Sequence, residues 1–390
     1  MTAAAGAVFP FVEVRGAPRE RGRQLGEACR EQVRGYPEAL RRVLGAEAGL
    51  RAVRLSAGPD PGSLADRALT FLPAIEAFAP HLVEEIRGIA EGAGVPFATA
   101  LLVNVRAEVA GVTLGGAGSA GSAGSAGSAG SAGSAGSAGN EGCTAFAVGR
   151  GATAAGDVLL GQNQDQAPDM EPFGVVLKVR PDKGPPALMA TFGGLVGYPG
   201  LNGAGIAHSQ NALANGVWRH GLPHYPLKRV LLEQDSLAGC LEVFDRARLA
   251  SCGNYVLADR TGRPVDVEST PDGYEVLEAE RDVVVHTNHF RSDRFSPQER
   301  LLDSLPDSPS RSERMRALLL AEHGRITLET VKRCLRDHSG PEGPAGAICR
   351  HEPQRPMKTI ASIIAEPDAG RLHVTRGNPC AGEYTTYSLD

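Results

Sequence analysis

At 390 residues and 42% apolar content, the chain is long enough to bury a sizeable core, as one large domain or two. Its net charge of −5 excludes a surface built to hold polyanions, so nucleic acid is not an expected partner. Seven scattered cysteines with no CxxC pair exclude a disulfide framework and point to a reducing compartment.

The first ten residues are small and apolar but lack the basic start of a signal peptide. No uncharged run holds enough large apolar side chains to span a bilayer. A cytoplasmic protein with no membrane partner is therefore expected. Residues 11–16 read as a short strand. Residues 19–44 read as a helix, with Leu25, Ala28, Val33, Leu40, Val43 and Leu44 forming its apolar stripe. Leu82, Val83, Ile86, Ile89 and Ala90 repeat at helical spacing, and that helix stops at Gly92, Gly94 and Pro96. A further helix is expected over 97–108, so the first 110 residues are mostly helical.

Residues 118–139 repeat Gly, Ser and Ala, with no side chain able to offset the entropy of ordering, and read as a coil spacer. Three stretches follow: a helical segment 1–114, a linker 115–142, and a strand-rich part 143–390. Past the linker the pattern turns to period two with short turns. Expected strand pairs are 144–148 with 158–162, 175–179 with 187–191, 256–258 with 265–268, and 274–277 with 283–287. Helices are expected over 227–244 and 311–337, and strands over 359–365 and 372–375. Strand runs mixed with helix pairs indicate an α+β fold rather than strict βαβ alternation.

The junction Gly142-Cys143-Thr144 joins the coil to the first of these strands. A cysteine there reads either as a small buried hydrophobe or as a nucleophile aimed by the strand. Gly142 leaves its own carbonyl open to attack, and scission after it would put a thiol and a free α-amine on one residue. A hairpin folded about residue 154 sets position 143 opposite 165, so Asp165 would face Cys143 or simply end the strand. In His286-Thr287-Asn288-His289 an apolar strand ends in polar groups. Asn288 fits an oxyanion donor, while His286 and His289 on opposite pleat faces make a poor chelate. Arg350, beside Cys349 and close to the last strands, could clamp a carboxylate or sit on the surface. The glycines of 193–205 lack the strand and helix of a dinucleotide loop and read as tight turns in a sheet.

With these residues in hand the chain resembles the acyl-coenzyme A:6-aminopenicillanic acid acyltransferase family of N-terminal-nucleophile hydrolases. The shared segments run in order: 15–22, 104–108, Gly142-Cys143-Thr144, 161–165, 200–213, His286-Thr287-Asn288-His289 and Ile348-Cys349-Arg350. The resemblance implies a four-layer αββα sandwich. It also implies a precursor that cleaves itself between Gly142 and Cys143, leaving α and β chains as a heterodimer. It assigns Cys143, Asp165, Asn288 and Arg350 to catalysis, with Asn211 and Gln162 against substrate. Gln164 departs from the family, a relative having an aromatic there. The chemistry so implied needs no metal or redox cofactor, and coenzyme A would enter only as the leaving group of an acyl donor. The acceptor would be an amine or water. A pure amidohydrolase of small N-acyl or β-alanyl amines is the alternative, and a non-catalytic binding protein on the same fold is the reading of another class.

Overall fold

The computed structural model describes residues 8–50, 64–109, 142–340, 346–351 and 357–390. The Gly-Ser-Ala repeat lies outside the described residues. Two sheets are stacked face to face. One has eight strands in the order β1 (Phe11–Gly16), β4 (Gly174–Pro181), β5 (Ala187–Phe192), β6 (Gly200–Asn202), β7 (Ala207–Asn211), β8 (Gly253–Ala258), β9 (Val265–Thr270) and β10 (Gly273–Glu278). The other has six, in the order β11 (Val283–His286), β2 (Gly142–Val148), β3 (Leu159–Gln166), β12 (Lys358–Glu366), β13 (Arg371–Arg376) and β14 (Thr385–Ser388).

The two-residue period of the strands sorts their side chains into layers. Ala145, Ala147, Leu160 and Ile363 of the six-stranded sheet pack on Val176, Leu188, Leu201 and Val256 of the other, filling the space between sheets. The alternate positions of the six-stranded sheet, Phe146, Val148, Leu159 and Ile364, face outward. There Met315 and Leu319 of α9 (Ser308–Ala321) and Val331 and Leu335 of α10 (Leu328–Leu335) cover them. Outward residues of the eight-stranded sheet, such as Val175, Leu177 and Val179, meet a second helical layer. It is built from α1 (Pro18–Ala28), α2 (Arg30–Leu50), α3 (Leu64–Leu69), α4 (Leu72–Phe78), α5 (Pro80–Ala93), α6 (Phe97–Asn104), α7 (His224–Leu231) and α8 (Leu237–Arg246). The result is the αββα order of layers. Both sheets are covered on both faces, so β2, β3 and β5 are buried at every position.

Several expected elements are divided. The stretch 19–44 breaks at Cys29, between α1 and α2. The stretch 227–244 breaks before Ser236, whose side chain accepts the Gly239 N–H and so starts α8. The stretch 311–337 breaks at Gly324, in the left-handed region at φ +79°, and Thr327 caps the next helix. One expected strand pair is absent: β10 pairs with β9, whereas β11 pairs with β2 in the other sheet. Arg281 and Asp282 both take positive φ (50° and 60°), and this tight turn lets the chain leave one sheet and enter the other. That crossover delivers Asn288 to Cys143. Among the described residues no helix is long and apolar enough to cross a membrane.

Candidate active site

Cys143 is the second residue of β2, which lies in the six-stranded sheet between the edge strand β11 and β3. Its backbone N–H donates to Asn288 Oδ1 at 2.9 Å. Its carbonyl accepts from Asn211 Nδ2 at 3.1 Å and from Arg311 at 2.8 Å. Its sulfur lies 4.0 Å from Gln162 Nε2, and Gln162 Oε1 in turn accepts the Gln210 N–H at 2.7 Å. Cys143, Gln162, Asn211 and Asn288 are thus brought together, from β2, β3, β7 and the end of β11.

The hairpin register differs by one residue from the sequence-based expectation. Cys143 stands opposite Gln164, and Asp165 stands opposite Gly142. A slip of one residue exchanges the faces of a strand. The Asp165 side chain therefore lies across from the glycine before Cys143, and not beside the thiol. A Cβ on residue 142 would sit 3.3 Å from Asp165 Oδ2 and 3.2 Å from Met357 Sδ, so glycine fits this crowded position. Gln164, on the Cys143 face, hydrogen-bonds the Tyr198 hydroxyl.

Behind the strand runs a buried chain of alternating charge. Asp165 meets Arg350 Nε at 3.3 Å, and its Oδ1 accepts from the Thr359 hydroxyl at 2.6 Å. Arg350 also pairs with Asp307, and Asp307 holds Arg311 Nε at 2.7 Å. Arg311 closes the chain by donating to Cys143 O, to Thr144 Oγ1 at 2.9 Å and to Asn288 Oδ1 at 2.9 Å. All four charged residues are buried, and two acids face two bases, so the network is neutral as a whole. Burial pushes the Asp165 carboxyl above its ordinary value, against the pull of Arg350, Arg311 and Thr359. Arg350 is thus linked to Cys143 through Asp307 and Arg311.

Asn288 is fixed by its neighbours in sequence. His286 donates from Nε2 to Glu268 at 2.9 Å and from Nδ1 to Thr287 O at 2.8 Å. Both ring nitrogens face acceptors, which makes the ring a cation. Its burial would lower its pKa, but Asp266 and Glu268 outweigh that and raise it. Glu268, despite burial, is pulled down to about 2 by His286, Ser292 and Arg291. The Asn288 N–H and His289 Nδ1 both meet Ser308 Oγ, at 2.7 and 2.8 Å, at the start of α9. The two histidines of this segment flank Asn288 and tie it to Glu268 and to Ser308.

Sequence reasoning missed Asp307 and Arg311. The only local signal is an acid and a base four residues apart at a helix start, a spacing ordinary on any helix surface. From sequence Thr359 reads only as the start of a strand.

The sequence profile of the acyl-coenzyme A:6-aminopenicillanic acid acyl-transferase family matches residues 152–381, more than half of the chain and beginning beyond Cys143. The 40 kDa form of acyl-coenzyme A:6-aminopenicillanic-acid-acyltransferase from Emericella nidulans is 26% identical over 304 residues, covering 77% of this chain and 76% of that protein. Among solved structures, a mutant conjugated bile acid hydrolase from Clostridium perfringens aligns at 16% identity, with 64% of this chain and 97% of that one covered and a TM-score of 0.40. Penicillin V acylase from Agrobacterium tumefaciens aligns at 13% identity, 60% and 74% coverage, and a TM-score of 0.32. On the extent of the profile match, this chain belongs to the acyl-coenzyme A:6-aminopenicillanic acid acyl-transferase family.

Proposed function

We propose that the chain is made as a precursor that cuts itself between Gly142 and Cys143, and then transfers or hydrolyses an acyl group through an S-acyl enzyme. The observation that carries this reading is the set of contacts on Cys143. Its N–H and carbonyl are held by Asn288, Asn211 and Arg311, and Asp165 lies across from Gly142.

In maturation the Cys143 sulfur attacks the Gly142 carbonyl carbon. The C–N bond breaks, its nitrogen takes a proton and becomes the Cys143 amine, and a thioester links Gly142 to the sulfur. Water hydrolyses that thioester, leaving a Gly142 carboxylate and a free thiol. The two pieces, 1–142 and 143–390, stay together as a heterodimer. In turnover the new α-amine, with an ordinary pKa of about 8, takes the thiol proton. The thiolate adds to the carbonyl of an amide or thioester donor, and Asn288 stabilises the oxyanion by about 3 kcal/mol. Collapse expels the donor's amine or thiol, and an amine or water then takes the acyl group from sulfur. Gln162 beside the sulfur and Asn211 on the Cys143 carbonyl are the residues assigned to substrate contact. The Emericella relative is named for an acyl-coenzyme A donor and an amine acceptor. An acyl thioester is accordingly the donor class proposed here, with coenzyme A as leaving group.

The test is the Cys143→Ala variant. It should remain one chain of 390 residues by intact mass and release no product from thioester or amide donors. A variant that is still cut, or still turns over, sinks the thiol mechanism. Adding hydroxylamine to the wild-type reaction then separates transfer from hydrolysis. A hydroxamate product marks transfer, and free acid alone marks an amidohydrolase.

A further inference from the structure

On the surface beyond Arg350 four side chains converge that the chemistry above does not use. His338 follows α10, Cys349 and His351 flank Arg350, and Cys380 lies between β13 and β14. One ligand atom from each lies within 4.8 Å of all the others. Cys349 Sγ is 3.6 Å from Cys380 Sγ and 3.6 Å from His351 Nε2. Cys380 Sγ is 3.2 Å from His351 Nε2, which is 3.0 Å from His338 Nε2. A tetrahedral zinc with bonds of about 2.3 Å to sulfur and about 2.05 Å to nitrogen has edges of about 3.8 Å (S to S), about 3.6 Å (S to N) and about 3.3 Å (N to N). These four edges fall on those values or a few tenths of an ångström inside them, and the remaining two, from His338 to the cysteine sulfurs, lie within 4.8 Å.

We propose that His338, Cys349, His351 and Cys380 bind one zinc ion. Two thiolates and two imidazoles are the donor set that suits this metal. Four protein ligands close the coordination sphere, so the site is structural and leaves no position for substrate or water. Cys349 is buried and the other three ligands are exposed, which sets the ion at the surface with one sulfur beneath it. Asn378 Nδ2 donates to Cys349 Sγ at 3.5 Å and also to the Arg350 carbonyl, the kind of outer hydrogen bond that orients a ligating thiolate. The ion would tie the end of α10, the segment before β12 and the turn before β14 into one unit. Because Cys349 and His351 flank Arg350, it would also fix the backbone that aims Arg350 at Asp165 and Asp307. A disulfide is the rival for the two cysteines. It needs sulfurs about 2.05 Å apart and gives the two imidazoles nothing to do.

Metal analysis of the full-length protein, purified from zinc-supplemented cells without chelator, tests this. The expected content is about one zinc per chain in the wild type and in Cys143→Ala, falling at least tenfold in Cys380→Ser and in His338→Ala. Replacing zinc by cobalt should give the visible spectrum of a tetrahedral, thiolate-bound ion. That measurement on the wild type stands even where a ligand variant fails to fold. Wild-type protein that takes up no zinc, full zinc retained in Cys380→Ser, or a Cys349–Cys380 disulfide in the purified chain would each overturn the site.

Discussion

In the uncut chain the Asn288 amide bridges two segments: Oδ1 accepts the Cys143 N–H, and Nδ2 donates to Ala212 O at 3.2 Å. Under the proposed scission that N–H would become an amine within reach of the same oxygen, so the amide would be in place before the chemistry needs it. Asn288→Ala should lower kcat by about 100–1000-fold if the amide stabilises the oxyanion. Steady-state rates on a thioester donor check this, and a loss under tenfold would remove Asn288 from that role. Cys143, Asp165, Asn288 and Arg350 can be singled out in the sequence because each stands in a short motif whose order along the chain is informative, and the structure joins Cys143 to Asn288 and Asp165 to Arg350. The facing of Asp165 was not legible. Hairpin arithmetic locates a partner to within a residue, and in a strand one residue decides the face. Arg311 was illegible for a different reason: its role depends on α9 docking against β2, which no local spacing encodes.

At the scale of elements, the crossing of α1 on α5 depends on glycine pairs at i and i+4 in both helices. A Cβ on Gly22 would come 1.9 Å from Glu85 O, and one on Gly88 would come 2.0 Å from Arg19 O. Gly26 and Gly92 repeat the pattern one turn along, at 2.2 and 2.1 Å from Ile89 O and Arg23 O. The helix backbones are in direct contact, so Gly88→Ala must push them apart. The expected cost is about 1–3 kcal/mol, read as a lower thermal midpoint, and an unchanged midpoint would show that the crossing yields without strain. Gly92 reads from sequence as part of a stop signal, yet its work, like that of Gly88, is tertiary. Helix positions followed from apolar spacing, but the breaks at Cys29, before Ser236 and at Gly324 did not. The failed pairing of β10 with β11 has the same origin. Two neighbouring strands with a tight turn look like a hairpin until the two sheets compete for the second strand.

For the molecule as a whole, stacking two covered sheets buries polar side chains, some as paired charges and others neutral. His208 in β7 is fully buried and makes its ring hydrogen bond to Lys228 O at 3.2 Å. Burial, aided by the positive charge of Lys228, pushes its pKa down to about 3. An unfolded histidine takes up a proton near pH 6.5, so the stability due to neutral His208 is present above that pH and is lost as pH falls toward about 3. Between pH 7 and pH 5 this one residue should remove about 2 kcal/mol. Denaturant unfolding in the uncut Cys143→Ala background, compared with the same chain carrying His208→Gln, measures it. Equal pH dependence in the two chains would show that His208 does not titrate on unfolding.

The α+β mixture was legible in the alternating strands and amphipathic helices, whereas the four-layer order followed only from the resemblance to the family. The His338, Cys349, His351 and Cys380 cluster was not legible, since its ligands are spread over 43 residues with none of the regular spacing of a zinc motif.

The most direct test of the central claim is intact mass together with amino-terminal sequencing of active wild-type protein. The expected result is two chains, 1–142 and 143–390, the second beginning Cys143-Thr144-Ala145, with activity rising in step with the cut fraction. Fully active protein that remains a single chain beginning at its original amino terminus would contradict it.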